Sequence, residues 1–186
     1  MPIKLHRIKR WEPLILLAVM WAIFICNFLL PINLNHLGIQ ARTSSGLIGI
    51  VFAPFLHSNL VHLASNTLPF LVLGSCVRLY GRRTFWFTTI FSALGGGFLI
   101  WLFSNKGIVI GASGLVFSYL SFLIVYGIYK RSKMSITIGL FALIFYGGLF
   151  LSLLRLSPHI SWIAHFAGAL TGGIVAYYIA KVRLTP

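Results

Sequence analysis

The chain has 186 residues, of which 59% are hydrophobic and only 9% are charged, so it is neither an ordinary soluble domain nor a disordered protein. Its 15 Lys and Arg residues face a single acid, Glu12, which excludes carboxylate metal sites, aspartyl-protease dyads, paired-carboxylate glycosidases and acidic proton relays. The basic residues lie scattered between apolar runs, which argues against nucleic-acid binding and predicts a polytopic membrane protein.

Six apolar stretches are long enough to cross a membrane, which takes about 20 residues. In chain order they cover residues 11–30, 59–77, 85–103, 112–129, 136–154 and 160–180. The first follows a basic stretch, as a signal peptide does, but it is too long and no small-residue cleavage site follows it, so we expect it to be retained. The predicted fold class is all-α, with residues 1–186 forming a single six-helix membrane domain.

The distribution of lysine and arginine predicts how these spans are oriented. Twelve basic residues fall in segments on one side, namely Lys4, Arg7, Lys9, Arg10, Arg78, Arg82, Arg83, Lys130, Arg131, Lys133, Lys181 and Arg183. Three fall on the other side, namely Arg42, Lys106 and Arg155. Because cytoplasmic loops are enriched in basic residues, we expect both termini in the cytoplasm.

The first outer connection, residues 31–58, is long and mixes polar with apolar side chains. Loops of that length inside compact proteins seldom lie free in water. We therefore expect this segment to lie in the outer interface, half sunk in the membrane. Glycines inside the spans, including those at 95–97 and 172–173, predict close packing between helices.

Three groups of polar residues fall inside the predicted spans, where burying an ionisable side chain is costly. His62 and Asn66 are four residues apart in span two, so they share a helix face. Ser113 lies between glycines where span four begins, and a helix start favours developing negative charge. His165 shares one stripe of span six with Gly168. Taken singly, each group is also explained by packing or helix capping.

Spans two, four and six run in the same direction on this map, so Asn66, Ser113 and His165 lie at comparable depth near the outer surface. A serine and a histidine with extra hydrogen-bond donors are the parts of an acyl-transfer centre. Ser113 would attack a carbonyl, and His165 would take its proton and pass it to the leaving amine. Asn66, His62 and the backbone N–H of Ser113 would hold the oxyanion.

No carboxylate is available to orient the histidine, because Glu12 lies at the opposite end of span one. The sequence therefore predicts a Ser–His dyad without metal or cofactor. The orientation of His165 would have to come from packing, for which Phe117, one turn past Ser113, is a candidate.

Together these elements resemble the rhomboid family of intramembrane serine proteases. The resemblance rests on His57-x4-His62-x3-Asn66, on Gly111-Ala-Ser113-Gly114 with Phe117, and on Ala164-His165-x2-Gly168-x3-Gly172. It implies the compact six-span bacterial form, with Ser113 as nucleophile and His165 as its base. It also implies supporting roles around the oxyanion and the active site for His62, Asn66, Gly111, Phe117 and Gly168.

By the same resemblance, the substrates are transmembrane proteins, cut near their outer ends after a small residue, and span five is the lateral gate. The gate residues would be Phe141, Phe145, Tyr146 and Phe150. Two positions depart from many relatives. Ile48-Gly49 stands where a Trp-Arg pair is common, and Cys76-Val77-Arg78 stands where an acid is common at the inner end of span two.

Two other functions remain open. A rhomboid-like protein that binds membrane clients without cutting them would need neither Ser113 nor His165. A small transporter or channel is disfavoured, because the spans contain no acids in their interior and no matched helix-breaking Gly/Pro pair. The predicted partners are transmembrane protein substrates and membrane lipids, and no nucleic acid.

Overall fold

The computed structural model describes residues 11–105, 107–153 and 161–182. The helices in these ranges are α1 Glu12–Leu29, α2 Ser44–Phe52, α3 Leu60–Arg78, α4 Arg82–Phe91, α5 Gly97–Phe103, α6 Ser113–Lys130, α7 Lys133–Tyr146 and α8 Trp162–Val182. Two short strands, β1 Ile39–Gln40 and β2 Ile108–Val109, pair antiparallel. The basic residues that lie outside the described ranges are Lys4, Arg7, Lys9, Arg10, Lys106, Arg155 and Arg183.

Six helical segments of the described chain are long and apolar enough to cross a membrane, which confirms the predicted helical membrane bundle. They are Glu12–Leu29, Leu60–Arg78, Arg82–Phe103, Ser113–Lys130, Lys133–Leu151 and Trp162–Lys181. The predicted limits agree to within a few residues, except that the limits at 154 and 160 lie outside the described residues. The third span is composite, because a π-helical segment, Ser92–Gly96, joins α4 to α5.

The fourth and sixth spans form the centre of the bundle. In each of them 61% of the residues are buried, against 22% in the first span and 17% in the fifth. The first and fifth spans therefore lie at the periphery. Lipid tails are as apolar as leucine, so membrane helices associate largely through close packing of small residues. Here a Cβ on Gly168 would overlap the carbonyl oxygen of Gly114, and one on Gly172 would overlap that of Ser118. The two backbones are therefore in direct contact.

The first outer segment is folded rather than extended. It contains a 3-10 turn, β1, α2 and a second 3-10 turn, and its buried side chains Ile39 and Ile50 pack with Ile100 and Val109. At the position of the common Trp-Arg pair, Gly49 lets the backbone of α2 touch that of residue 38. Several apolar side chains of α2 remain exposed, namely Leu47, Ile48, Val51 and Phe52. They suit the expected place at the membrane interface, which stays a prediction.

An ion pair ties α1 to α3 at the end of the bundle where α3 ends. The Glu12 carboxylate accepts from Nε of Arg78 at 2.9 Å and lies 3.3 Å from Nε of Arg82. Arg78 is only 4% exposed and Glu12 only 9%. Where the family resemblance led us to expect an acid on span two, the chain has the base Arg78, and its acidic partner Glu12 lies on span one.

Candidate active site

Ser113 is the first residue of α6, and the preceding loop is held by two hydrogen bonds. The backbone N–H of Gly111 donates to the carbonyl oxygen of Ala53 at 2.8 Å, and that of Ala112 donates to Nε2 of His57 at 3.3 Å. Gly111 has φ +118°, a conformation that side-chain-bearing residues rarely adopt. The first outer segment therefore fixes the loop that presents the serine.

The N-cap residue of α6 is Ala112, whose side chain makes no capping hydrogen bond. The N-terminal end of a helix carries partial positive charge and N–H groups without partners in the helix. Such an end favours negative charge, and the structure places Ser113 there.

His165 lies on α8 and is 8% exposed. Its ring stacks on the ring of Phe117, with a centroid distance of 4.2 Å and an interplanar angle of 13°. Phe117 follows Ser113 by four residues and so lies on the same face of α6, one turn further along. The structure thus brings His165 to the face of α6 that carries the serine.

The glycine contact brings the two helices together at this level. A Cβ on Gly114, which directly follows Ser113, would lie 3.5 Å from the carbonyl oxygen of Ala164, which directly precedes His165. Gly168, the third residue after His165, contacts Gly114 itself. The start of α6 and the first turns of α8 therefore meet where the two candidate residues lie.

His62 of α3 borders the same loop, and Asn66 follows it by one helical turn. A Cβ on Gly111 would lie 2.7 Å from both Cε1 and Nε2 of His62, so the imidazole lies against the serine loop. The Asn66 side chain is buried and donates one amide N–H to the carbonyl oxygen of His62 at 2.8 Å. A primary amide has two N–H donors, and this bond uses one of them. Nδ1 of His62 lies 3.3 Å from the hydroxyl of Ser58.

His57 has a role that the sequence did not reveal. It is 2% exposed, and its ring meets that of His62 edge-on at 5.1 Å. Burial, together with the neighbouring His62, lowers the pKa of His57 to about 4. His57 is therefore neutral at physiological pH, which its acceptance of the Ala112 N–H requires. In the sequence, His57 stands out only as the first histidine of the motif that continues to His62 and Asn66. The neighbouring residues do not indicate that it accepts a hydrogen bond from a backbone amide.

A small cavity of about 40 Å³ lies beside the glycine contact, and its lining includes Gly111, Gly114, Ala164 and Gly168. A water molecule needs roughly 10–15 Å³ of such space, so the cavity has room for water. Across the described ranges, no three His, Cys, Asp or Glu side chains cluster in a way that could hold a metal ion.

Of the four aromatic residues predicted to form a gate on the fifth span, Phe150 contacts a candidate site residue. Phe141 contacts Phe145 at 4.9 Å, and Phe145 is 69% exposed on the outside of the bundle. Beyond α7, the Phe150 ring packs edge-on against Phe117 at 5.9 Å. The end of this span therefore contacts the same ring that stacks on His165.

Comparisons with known proteins agree with this architecture. Residues 44–182 match the family described as Rhomboid domain, which is most of the chain. Uncharacterized proteins of Mycobacterium tuberculosis and Mycobacterium bovis are each 37% identical over 172 residues, covering 88% of this chain and 72% of theirs. An uncharacterized protein of Mycobacterium leprae is 35% identical over 173 residues, covering 88% and 68%. The chain belongs to the rhomboid family and is an integral, multi-pass membrane protein.

Proposed function

We propose that this protein is an intramembrane serine endopeptidase that hydrolyses peptide bonds of transmembrane proteins near their outer ends. The observation that supports this most directly is the meeting of α6 and α8. The serine that begins α6 and the histidine of α8 flank one glycine contact, and Phe117 stacks on the histidine ring. Membership of the rhomboid family supports the same function.

The proposed reaction uses only side chains and backbone groups of this chain. The Ser113 hydroxyl adds to the scissile carbonyl, and His165 removes its proton. Asn66, His62 and the Ser113 N–H stabilise the oxyanion. His165 then protonates the leaving amine, and the acyl group stays on the serine as an ester. Water attacks this ester and gives a proton to His165. His165 returns that proton to Oγ of Ser113 as the acyl–oxygen bond breaks, which releases the acid and restores the serine hydroxyl and the neutral imidazole.

Packing takes the place of a third catalytic residue. A carboxylate usually holds the histidine of such a centre in its working orientation. The only acid of this chain, Glu12, is paired with Arg78 on the other side of the bundle. Stacking on Phe117 fixes the plane of the His165 ring instead, and aromatic pairs of this kind contribute about 0.5–1.5 kcal/mol.

The basic residues support an orientation with both termini in the cytoplasm. The resemblance to the compact bacterial form of the family suggests a bacterial inner (cell) membrane. Ser113 then faces the outer side, where we place the cleavage. The fifth span is the least buried of the six, so it is the natural boundary between the site and the lipid. We propose it as the lateral gate for substrate helices, because its end contacts Phe117 through Phe150.

The decisive experiment compares cleavage of a transmembrane substrate in vesicles by the wild-type protein and by Ser113→Ala and His165→Ala. Both variants should lose cleavage. Ser121→Ala is the matched control, because it removes a hydroxyl from the same helix two turns further along and should retain activity. A fluorophosphonate probe should label wild type and not Ser113→Ala. Equal cleavage by all four proteins would refute the proposal.

The same experiment separates the protease from a rhomboid-like protein that only binds clients. If the wild-type protein cleaves nothing and labels with no probe, yet captures a membrane client as well as Ser113→Ala does, the binding function is the correct one.

A further inference from the structure

A second feature lies at the other end of the bundle, away from Ser113. A groove of about 630 Å³ runs between the start of α4 and the end of α8. Its lining includes Arg82, Arg83, Trp86, Phe87, Ile90 and Tyr178. The proposed peptidase activity makes no use of these residues, so the groove needs an explanation of its own.

The groove is polar at its rim and apolar along its length. The two arginines lie at the first positions of α4, and Ile90 follows Arg82 by eight residues, about 12 Å along a helix. Phe87 and Tyr178 stack across from α4 to α8 with a centroid distance of 6.3 Å, so they form a defined wall. Both rings and Ile90 are about half exposed, so an apolar chain lying in the groove would cover them.

The charge at the rim is not balanced among the residues that the structure describes. Three arginines lie close together here, and Glu12 is the carboxylate that contacts two of them, Arg78 and Arg82. Its carboxylate is engaged by the buried Arg78 and touches only Nε of Arg82, whose side chain is 73% exposed. The sequence contains no other aspartate or glutamate. The described rim therefore carries a net positive charge, which suits an anionic ligand.

We propose that this groove binds one anionic phospholipid of the adjacent leaflet. The phosphate lies between Arg82 and Arg83, and an acyl chain follows Phe87, Ile90 and Tyr178. A guanidinium group has five N–H donors in a planar fork that suits phosphate oxygens, so Arg82 can contact Glu12 and the lipid together. On the proposed orientation this leaflet is cytoplasmic, where anionic lipids attract basic residues. The inference does not depend on peptidase activity.

The test uses the tryptophan that lines the groove. The full-length protein is placed in phosphatidylcholine vesicles that contain a minor fraction of a lipid with brominated acyl chains. The brominated lipid is phosphatidylglycerol in one sample and phosphatidylcholine in the other. Bromine quenches tryptophan fluorescence on contact, and the Trp86→Phe variant shows which part of the quenching belongs to Trp86. Brominated phosphatidylglycerol should quench Trp86 several times more strongly than brominated phosphatidylcholine does.

Variants then assign this preference to the arginines. Arg82→Gln and Arg83→Gln should each lower the preference on the order of fivefold. Arg83→Gln leaves the ion pair of Glu12 intact, so it keeps the test valid if Arg82→Gln is unstable. The control is Lys130→Gln with Lys133→Gln, which removes two charges between α6 and α7, outside the groove. The control should retain the preference.

Several outcomes would overturn the proposal. Equal quenching by the two brominated lipids would mean that the groove takes neutral lipid. If the lysine control loses the preference for phosphatidylglycerol as strongly as the arginine variants do, the preference is a general effect of surface charge. Competition by inorganic phosphate at lipid-equivalent concentration would mean a soluble anion. Absence of quenching by either lipid, with cross-linking through Trp86→Cys between two copies, would mean that a second chain covers the groove.

Discussion

Replacing Gly111 by alanine tests whether the serine loop is held as tightly as described. The new Cβ would lie 2.7 Å from Cε1 and Nε2 of His62, whereas ordinary contact begins at 3.4 Å. The loop or the imidazole must therefore move by about 0.7 Å. The residue also has φ +118°, which strains any residue with a side chain by about 1–3 kcal/mol. We expect a loss of that size in the free energy of unfolding.

The displacement falls two residues before the proposed nucleophile, so activity should fall more than stability alone explains. A misplacement of about 1 Å in an active site can cost 100-fold in rate, so we expect a loss on the order of 10- to 100-fold in kcat/KM. The assay is cleavage of a transmembrane substrate in vesicles at a temperature where the variant remains folded. Thermal unfolding of the same samples reports the stability.

Gly107→Ala provides the matched control. It lies in the same connection between α5 and α6, and a Cβ there meets no atom within 4 Å. We expect its stability and cleavage rate to stay close to those of the wild type. Wild-type stability and rate in Gly111→Ala would refute the described contact. A stability loss without a rate loss would show that the loop supports the fold and does not position the serine.

Three further outcomes follow from the buried polar groups. Glu12→Gln should lower the free energy of unfolding by about 3–5 kcal/mol because buried Arg78 loses its partner, whereas Arg82→Gln should cost at most about 1 kcal/mol; equal losses in denaturant titrations would contradict this. The folded-state pKa of His57 is about 4, below its ordinary value of 6.5, so the unfolded state binds more protons between these values. Stability should therefore fall by about 3 kcal/mol as pH drops from 6.5 to 4. His57→Gln should flatten that slope, and an unchanged slope would assign it to other groups. The cleavage rate should fall on acidification because His165 must be neutral to accept a proton; a flat rate from mildly acid to neutral pH would count against that role.

Hydropathy was sufficient to predict the helical membrane bundle. A membrane span needs an uninterrupted apolar run, so the six spans are visible in the sequence to within a few residues. The helical periodicity also predicted Ser113 and Phe117 on one face of span four. In the structure, the ring of His165 stacks on Phe117 of that face. These features depend on local spacing, which a sequence displays directly.

Features that depend on distant partners could not be predicted in the same way. Arg78 and Glu12 are 66 residues apart, and the sequence shows both charges without showing that they pair. β1 and β2 have two residues each, too few to show any alternation. The π-helical segment Ser92–Gly96 depends on a shift in the backbone hydrogen bonds that apolar periodicity does not display. His57 accepts a hydrogen bond from the N–H of Ala112, which lies 55 residues away in the sequence.

The pairing of Glu12 with Arg78 also bears on biosynthesis. A chain is made from its N-terminus, so the carboxylate at the start of the first helix is in place before the guanidinium that it neutralises is made. The end of α3 can then pack against a counter-ion that is already there, so Arg78 is not buried without a partner. With the two residues exchanged, the base at the start of the first helix would lack its partner until the acid followed.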